Sequence, residues 1–274
     1  MSAATQVQES SQNAALEQKL EELKIEGSAN RTSETPSVAA SLREPEPGIL
    51  KTPIVDPLPT STPEPAAELT SEQQTKYESL LETVKAWTEI PSTTGKEGPI
   101  SDAERFWLTR DCLLRYLRAT KWNTANASKR LLSTLTWRRE YGVDELARDH
   151  ISPENETGKQ IILGFDIAAR PCLYLNPGRQ NTSASPRQVQ HLVFMLERVI
   201  EMSGAGQETL ALLINFKTSK SRSNTAPGIG QGREVLNILQ THYPERLGRA
   251  LIINGMLYSS VKISCVLAQC EDRD

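Results

Sequence analysis

The segment 235–254 constrains the fold most, because it predicts a helix, a turn and a buried strand in immediate succession. Apolar residues recur at helical spacing up to Tyr243, and Pro244 ends the helix because proline lacks an N–H and disfavours helical geometry in the residue before it. The run 250–253 is continuously apolar and partly β-branched, which is typical of a buried strand. Arg249 stands where the polar turn meets this strand. Its guanidinium is either an ordinary surface charge or a group placed to reach a phosphate at the mouth of a pocket.

Helical periodicity dominates residues 70–142, which we interpret as a helical subdomain. Three helices are predicted, beginning near Thr70, Ser101 and Asn123, where a polar side chain precedes each apolar stripe. Glu104 follows Ser101 with capping-box spacing. The helix that begins there is expected to run unbroken to about residue 118.

The apolar period changes after this subdomain, and the pattern becomes that of alternating strands and helices. Residues 161–165 and 172–175 are expected to form an antiparallel pair, because only six residues join them. The elements that follow are a helix at 185–203, a strand at 209–216, a helix at 233–243 and a strand at 249–254. This order predicts an α/β fold in which a mixed sheet with crossover helices occupies residues 150–254.

The first 69 residues differ in composition from the remainder. They are rich in Ser, Thr, Pro and Glu, and residues 36–65 contain eight of the sixteen prolines. Such a segment cannot bury enough apolar surface to offset the entropy of ordering, so we predict a disordered tail. Residues 1–70 carry eleven acidic and five basic side chains, so the rest of the chain has a net charge of +3. That charge is compatible with an anionic surface or headgroup, and too weak to indicate nucleic acid.

The motifs of several other protein classes are lacking. The glycines of 228–232 have the wrong spacing for a dinucleotide fingerprint, and the four cysteines lack zinc-site spacing. The three histidines lie on separate elements, and there is no Gly-x-Ser-x-Gly elbow. We therefore expect no catalytic residues, no metal and no cofactor. The N-terminus does not have the pattern of a signal peptide, which favours a cytoplasmic protein.

Two stretches of the sequence carry a family resemblance. One is Pro244-Glu245-Arg246-Leu247-Gly248-Arg249, and the other runs from Leu113 through Arg115-Tyr116-Leu117-Arg118-Ala119-Thr120-Lys121 to Trp122. Both resemble segments of CRAL-TRIO lipid-transfer proteins, the fungal-type phosphatidylinositol transfer family. The resemblance covers about residues 105–254.

The resemblance implies a sheet that floors a cavity for one lipid, phosphatidylinositol, which is exchanged for a second lipid and delivered to lipid kinases. It implies transient, peripheral contact with membranes. By position, Lys121 and Arg249 are expected to contact the phosphate or inositol, Thr120 to donate a hydrogen bond, and Tyr174 to line the pocket. Asn215 stands where much of the family has a carboxylate, and Lys217 is a substitute that would aid the phosphate.

The sequence departs from the family after Asn254, because residues 255–274 do not resemble the apolar gate segment expected there. We therefore expect a product truncated before the gate helix, whose apolar pocket interior would face water. Two alternatives to phosphatidylinositol transfer remain open. One is a carrier of another lipophile such as a sterol, and the other is a non-transferring fragment that acts as a scaffold or regulatory product.

Overall fold

The computed structural model describes residues 54–217 and 229–254, and these form a helical subdomain followed by a mixed sheet. The predicted α/β fold class is confirmed. The helices are α1 (Ser71–Lys85), α2 (Asp102–Trp107), α3 (Arg110–Ala119), α4 (Thr124–Tyr141), α5 (Arg148–Asn155), α6 (Pro186–Glu201) and α7 (Ile229–His242). The strands are β1 (Glu89–Ile90), β2 (Gly98–Pro99), β3 (Gln160–Phe165), β4 (Pro171–Leu175), β5 (Leu210–Asn215) and β6 (Leu247–Ile253). Residues 1–53 of the predicted N-terminal tail (1–69) lie outside the described residues. So does the predicted tail at 255–274.

The helical subdomain begins where the sequence predicts, because Thr70 forms a capping box at the start of α1. The prediction of one helix from 101 to 118 is wrong. The chain breaks at Leu108, and the hydroxyl of Thr109 starts α3 by accepting the backbone N–H of Cys112 at 3.1 Å. Apolar side chains of α1, α3 and α4 share one core, which includes Leu80, Val84, Leu113, Leu117 and Leu131.

The main sheet has the strand order β3-β4-β5-β6. β3 and β4 are antiparallel, as predicted, whereas β4, β5 and β6 run parallel. α6 and α7 connect the parallel strands. α7 begins at Ile229, four residues before the predicted start, so it includes most of the glycine-rich segment. The sequence did not predict α5, because Pro153 lies inside it and proline disfavours helix interiors.

The two faces of this sheet have different surroundings. On the face that we call the helix side, Leu173 and Leu210 pack with apolar residues of α6 and α7 in the main core. The opposite face, which we call the open side, carries the alternate residues of the same strands. Its apolar side chains remain 37–57% exposed at Ile161, Leu163, Leu251 and Ile253.

Residues 54–69 form no helix or strand, yet they contact the β3–β4 hairpin. The backbone N–H of Thr62 donates to the carbonyl of Ile167 at 3.3 Å, and Glu64 pairs with Arg170 at 2.6 Å. This end of the predicted tail is therefore anchored to the sheet. Within the described ranges, no helix has the length and apolar character needed to cross a membrane.

Candidate functional site

Two predicted ligand residues, Lys121 and Thr120, lie in the turn between α3 and α4. Lys121 has a positive φ of 52°, its side chain is exposed, and it has no ion pair among the described residues. The hydroxyl of Thr120 lies 2.8 Å from the carbonyl of Tyr116 and 3.2 Å from that of Leu117. The hydroxyl hydrogen of Thr120 is thus donated within the turn, whereas the exposed ammonium of Lys121 can bind an anion.

Arg249 and Tyr174 lie on the open side of the sheet, where Arg249 is exposed and has no ion pair with a described residue. The hydroxyl of Tyr174 accepts a hydrogen bond from the amide of Asn215 at 2.7 Å. The other end of that amide accepts the backbone N–H of Lys217 at 3.0 Å and the side chain of Asn254 at 2.8 Å. Asn215 therefore organises a small polar cluster in place of the carboxylate expected from the resemblance.

The structure does not bring Lys217 and Arg249 together. Arg249 pairs with Ala211 near the start of β5, whereas Lys217 follows Asn215 at the end of that strand. The four residue steps from Ala211 to Asn215 span about 13 Å of extended chain. Lys217 and Arg249 therefore lie at different ends of the sheet.

Two apolar clefts lie on the helix side, between the sheet and the helices α6 and α7. The larger, which we call the α6–α7 cleft, has a volume of about 220 Å³, and a second cavity of about 50 Å³ lies further along the same helices. None of the five predicted ligand residues lines either space. The α6–α7 cleft is lined by Leu175, Val189, Leu192 and Val235 together with polar residues, and the smaller cavity by Leu196, Leu210, Leu212, Leu236, Leu239 and Leu247 among others.

One end of the α6–α7 cleft is polar. The side-chain oxygen of Gln160 is buried there and has no hydrogen-bond partner among the described residues, so it can accept a hydrogen bond from a ligand hydroxyl. Lys159 lines the same end and pairs with the fully buried Glu154. Burial alone would raise the pKa of Glu154, but hydrogen bonds from Lys159, Thr182 and Arg187 lower it below its ordinary value. These residues could not be predicted from the sequence, because a polar residue at the end of a strand has no signature of its own.

Groups suited to metal binding were also sought. In the parts of the chain that the structure describes, no cluster of three or more His, Cys, Asp or Glu could hold a metal ion. Cys112 and Cys172 are free thiols. His191 is buried and His242 is half-buried, and burial lowers the pKa of each to about 4, so both are neutral at pH 7. His242 stacks on Trp137 with ring centroids 4.1 Å apart, which gives it a packing role.

Comparison with known proteins gives matches over both parts of the chain. The family model described as "CRAL/TRIO, N-terminal domain" matches residues 76–133, and the one described as "CRAL/TRIO domain" matches residues 155–256. Together they cover more than half of the 274 residues.

Two curated relatives are similar over a large share of this chain. A CRAL-TRIO domain-containing protein of Schizosaccharomyces pombe is 58% identical over 188 residues, which are 68% of this chain and 18% of that protein. The phosphatidylinositol transfer protein PDR17 of Saccharomyces cerevisiae is 50% identical over 172 residues, which are 59% of this chain and 49% of that protein. The chain thus spans half or less of the length of these relatives. The crystal structure of Sfh5 aligns at a TM-score of 0.46 and 13% identity, covering 75% of this chain and 77% of that one.

Proposed function

The chain belongs to the CRAL/TRIO family, and on that premise we propose that it binds a phospholipid, phosphatidylinositol, and carries it between membranes without covalent chemistry. The name of the PDR17 relative supports this choice of ligand. The observation that carries the proposal is the apolar space between the sheet and the helices α6 and α7. A lipid leaves a membrane only if its acyl chains find such a space, because each methylene exposed to water costs about 0.8 kcal/mol.

The acyl chains are placed on the helix side rather than on the open side. There the apolar side chains of α6, α7 and the strands face one another, so they can surround a chain, whereas the open side covers it from one direction only. The α6–α7 cleft of about 220 Å³ is smaller than the roughly 300–1,000 Å³ of typical ligand pockets. Binding therefore requires α7 to move away from the sheet, which would join the cleft to the smaller cavity.

The headgroup has two candidate positions, one beside Arg249 near the start of β6, which is the edge strand of the described sheet, and one at the polar end of the α6–α7 cleft. Lys121 and Arg249 are exposed cations that form no ion pair with a described residue, so they are suited to the phosphate. Gln160 offers a buried acceptor to a hydroxyl at the polar end of the α6–α7 cleft. Tyr174 belongs to the open side, where it supports Asn215.

Transient contact with a cytoplasmic membrane surface, and delivery of the lipid to lipid kinases, complete the proposal. The exposed aliphatic side chains of the open side, together with Arg249, are suited to an anionic bilayer surface.

Mass spectrometry of the lipids that co-purify with the full chain tests the proposal. We expect phosphatidylinositol at about one molecule per chain, and its loss in the double variant Lys121→Ala/Arg249→Ala, because a charge-assisted contact to phosphate is worth about 1.5–3 kcal/mol. The matched control is Lys129→Ala/Arg233→Ala, which removes one exposed lysine and one exposed arginine elsewhere.

Three other results would separate the alternatives. Retention of a sterol in the Lys121/Arg249 variant, with no phosphatidylinositol in any form, would favour a carrier of another lipophile. A folded chain without lipid in any form would favour a scaffold or regulatory fragment. Equal phosphatidylinositol in both double variants would remove Lys121 and Arg249 from the site while leaving lipid carriage intact.

A further inference from the structure

A cleft larger than the α6–α7 cleft lies apart from it. It has a volume of about 560 Å³ and lies between the helical subdomain and the end of α6 with the turn that joins α7 to β6. We call it the inter-subdomain cleft. Phe106 lies on its wall with 85% of its surface exposed, so the cleft opens to solvent there.

Arg115 lines this cleft and is only 5% exposed. Among the described residues, only Glu208 has a carboxylate that pairs with this guanidinium, at 3.6 Å, and none forms a hydrogen bond with it. Glu208 is already held by Arg118 at 2.7 Å. Burying a charged group without hydrogen bonds is unfavourable in free energy. The N–H donors of Arg115 would therefore be stabilised by an acceptor that enters the cleft.

Arg246 lines the same cleft, and most of its N–H donors also lack an acceptor among the described residues. Its only side-chain hydrogen bond among the described residues goes to the backbone carbonyl of Glu208, at 2.8 Å. Burial and, to a smaller extent, the charge of Arg115 lower the pKa of Arg246 to about 10. The two guanidiniums therefore repel each other across a space that an anion could fill.

Arg138 shows what a satisfied arginine looks like in this cleft. It donates two hydrogen bonds to Glu197, at 2.9 and 3.1 Å, and a third to Asp144 at 2.7 Å. Arg198, on the rim, pairs with Glu201 at 2.6 Å. The open donors are thus concentrated on Arg115 and Arg246.

We propose that Arg115 and Arg246 bind the phosphate group of a small phosphorylated compound in the inter-subdomain cleft. Guanidinium forks match the geometry of phosphate oxygens, and a doubly charged anion would relieve the repulsion between the two side chains. The cleft of about 560 Å³ falls within the roughly 300–1,000 Å³ of small-molecule sites, so it has room for an organic group beyond the phosphate. The phosphate belongs either to a soluble compound or to a phosphomonoester headgroup at a membrane surface.

Thermal unfolding and titration calorimetry of the full chain test the site, with inorganic phosphate and glycerol 3-phosphate as probes and chloride at matched ionic strength as reference. We expect both probes to raise the melting temperature. Arg246→Gln and Arg115→Gln should weaken binding by roughly tenfold to a hundredfold, because each removes charge-assisted hydrogen bonds. Arg198→Gln is the matched control, since it changes an arginine of the same cleft that is already paired, and it should bind as the wild type does.

The melting temperature without probe separates binding from a merely structural role. Because Arg115 and Arg246 repel each other, Arg246→Gln should not lower that temperature while it abolishes the response to phosphate. If neither glutamine variant folds, the wild type still decides the matter, because phosphate should protect Arg246 from phenylglyoxal as measured by peptide mass spectrometry. The lipid that co-purifies with the same variants should also be measured. Loss of phosphate binding can then be distinguished from loss of lipid binding.

Sedimentation with vesicles that contain a phosphomonoester lipid identifies the source of the phosphate. Binding to the soluble probes indicates a soluble compound. Binding to the vesicles alone, lost in Arg246→Gln, indicates a headgroup. The proposal is overturned if wild type responds to neither source, or if Arg246→Gln and the wild type respond equally.

Discussion

The helix side and the open side of the sheet are built from alternate residues of the same strands, yet one is buried and the other is exposed. Leu173 on the helix side is 0% exposed, whereas Leu163 on the open side is 50% exposed. Both sides are apolar, as is usual for sheets that are covered on both faces. Apolar composition alone therefore does not show which face of a sheet is buried. The packing of the helices determines which face is covered.

The two sides also differ in what they can hold. The helix side contains the two apolar clefts, the buried side-chain oxygen of Gln160 and the paired Glu154. The acyl chains of a ligand there would lose contact with water and gain apolar contacts. The open side offers exposed aliphatic side chains and the unpaired charge of Arg249. We therefore assign lipid storage to the helix side and membrane contact to the open side.

The largest contrast between the two sides should appear in stability. Leu173→Ala creates a cavity in the main core, so we expect it to lower the free energy of unfolding by about 2–5 kcal/mol. Leu251→Ala removes the same atoms from the open side, where the side chain is 57% exposed, and should change that free energy by no more than about 0.5 kcal/mol. Urea denaturation of both variants measures the difference, and equal losses would show that the open side is covered in solution.

Acid should weaken the covered side through His191, which lies on α6. Its pKa falls from 6.5 to about 4 in the folded chain, so the unfolded chain binds a proton more readily between these values. Stability is therefore full above pH 6.5 and is lost as the pH falls towards 4, by roughly 3 kcal/mol for this histidine. His242, whose pKa is lowered to the same value, adds to the loss.

Urea denaturation at pH 7 and at pH 4.5 measures this acid sensitivity. His191→Gln should remove the part of the loss that His191 contributes. His150→Gln is the matched control, because it makes the same substitution at an exposed histidine. An unchanged loss in His191→Gln would contradict the assignment.

The smallest effect concerns Gln160, whose buried oxygen has no partner. Gln160→Leu should leave the free energy of unfolding unchanged or raise it by up to about 1 kcal/mol, because an unsatisfied polar group is removed. It should also weaken phosphatidylinositol binding several-fold, measured by lipid transfer between vesicles. In contrast, Gln188→Leu breaks hydrogen bonds to Thr182 and Ser183 and should cost stability. Unchanged lipid binding in Gln160→Leu would place the headgroup at the other end of the sheet.

Much of the fold could be predicted from the sequence, because local signals fix it. Thr70, Ser101 and Asn123 cap their helices as expected, and the six-residue connection between β3 and β4 produces the antiparallel pair. The break at Leu108 was missed, since the apolar stripe continues across it and only the capping hydroxyl of Thr109 reveals it. Local signals thus fix elements better than their exact ends.

The candidate site was far less predictable, because it depends on contacts between distant segments. Residues chosen by position, such as Lys121 and Arg249, are exposed cations, but nothing in the sequence shows that Thr120 uses its proton within its own turn. The clefts arise where α6 and α7 cross the strands. Arg115 lacks hydrogen bonds because the carboxylate of Glu208 lies closer to Arg118, at 2.7 Å, than to Arg115, at 3.6 Å. Such features are visible only once the chain is folded.

The central claim, that lipid is held on the helix side, is tested most directly by photo-crosslinking. The full chain would be loaded with phosphatidylinositol that bears a photoreactive group at the end of one acyl chain, and cross-linked peptides would be identified by mass spectrometry. We expect cross-links to residues that line the helix-side clefts, such as Val189, Leu192, Leu196 and Val235. Cross-links confined to Ile161, Leu163, Leu251 and Ile253 would contradict the account and move the lipid to the open side.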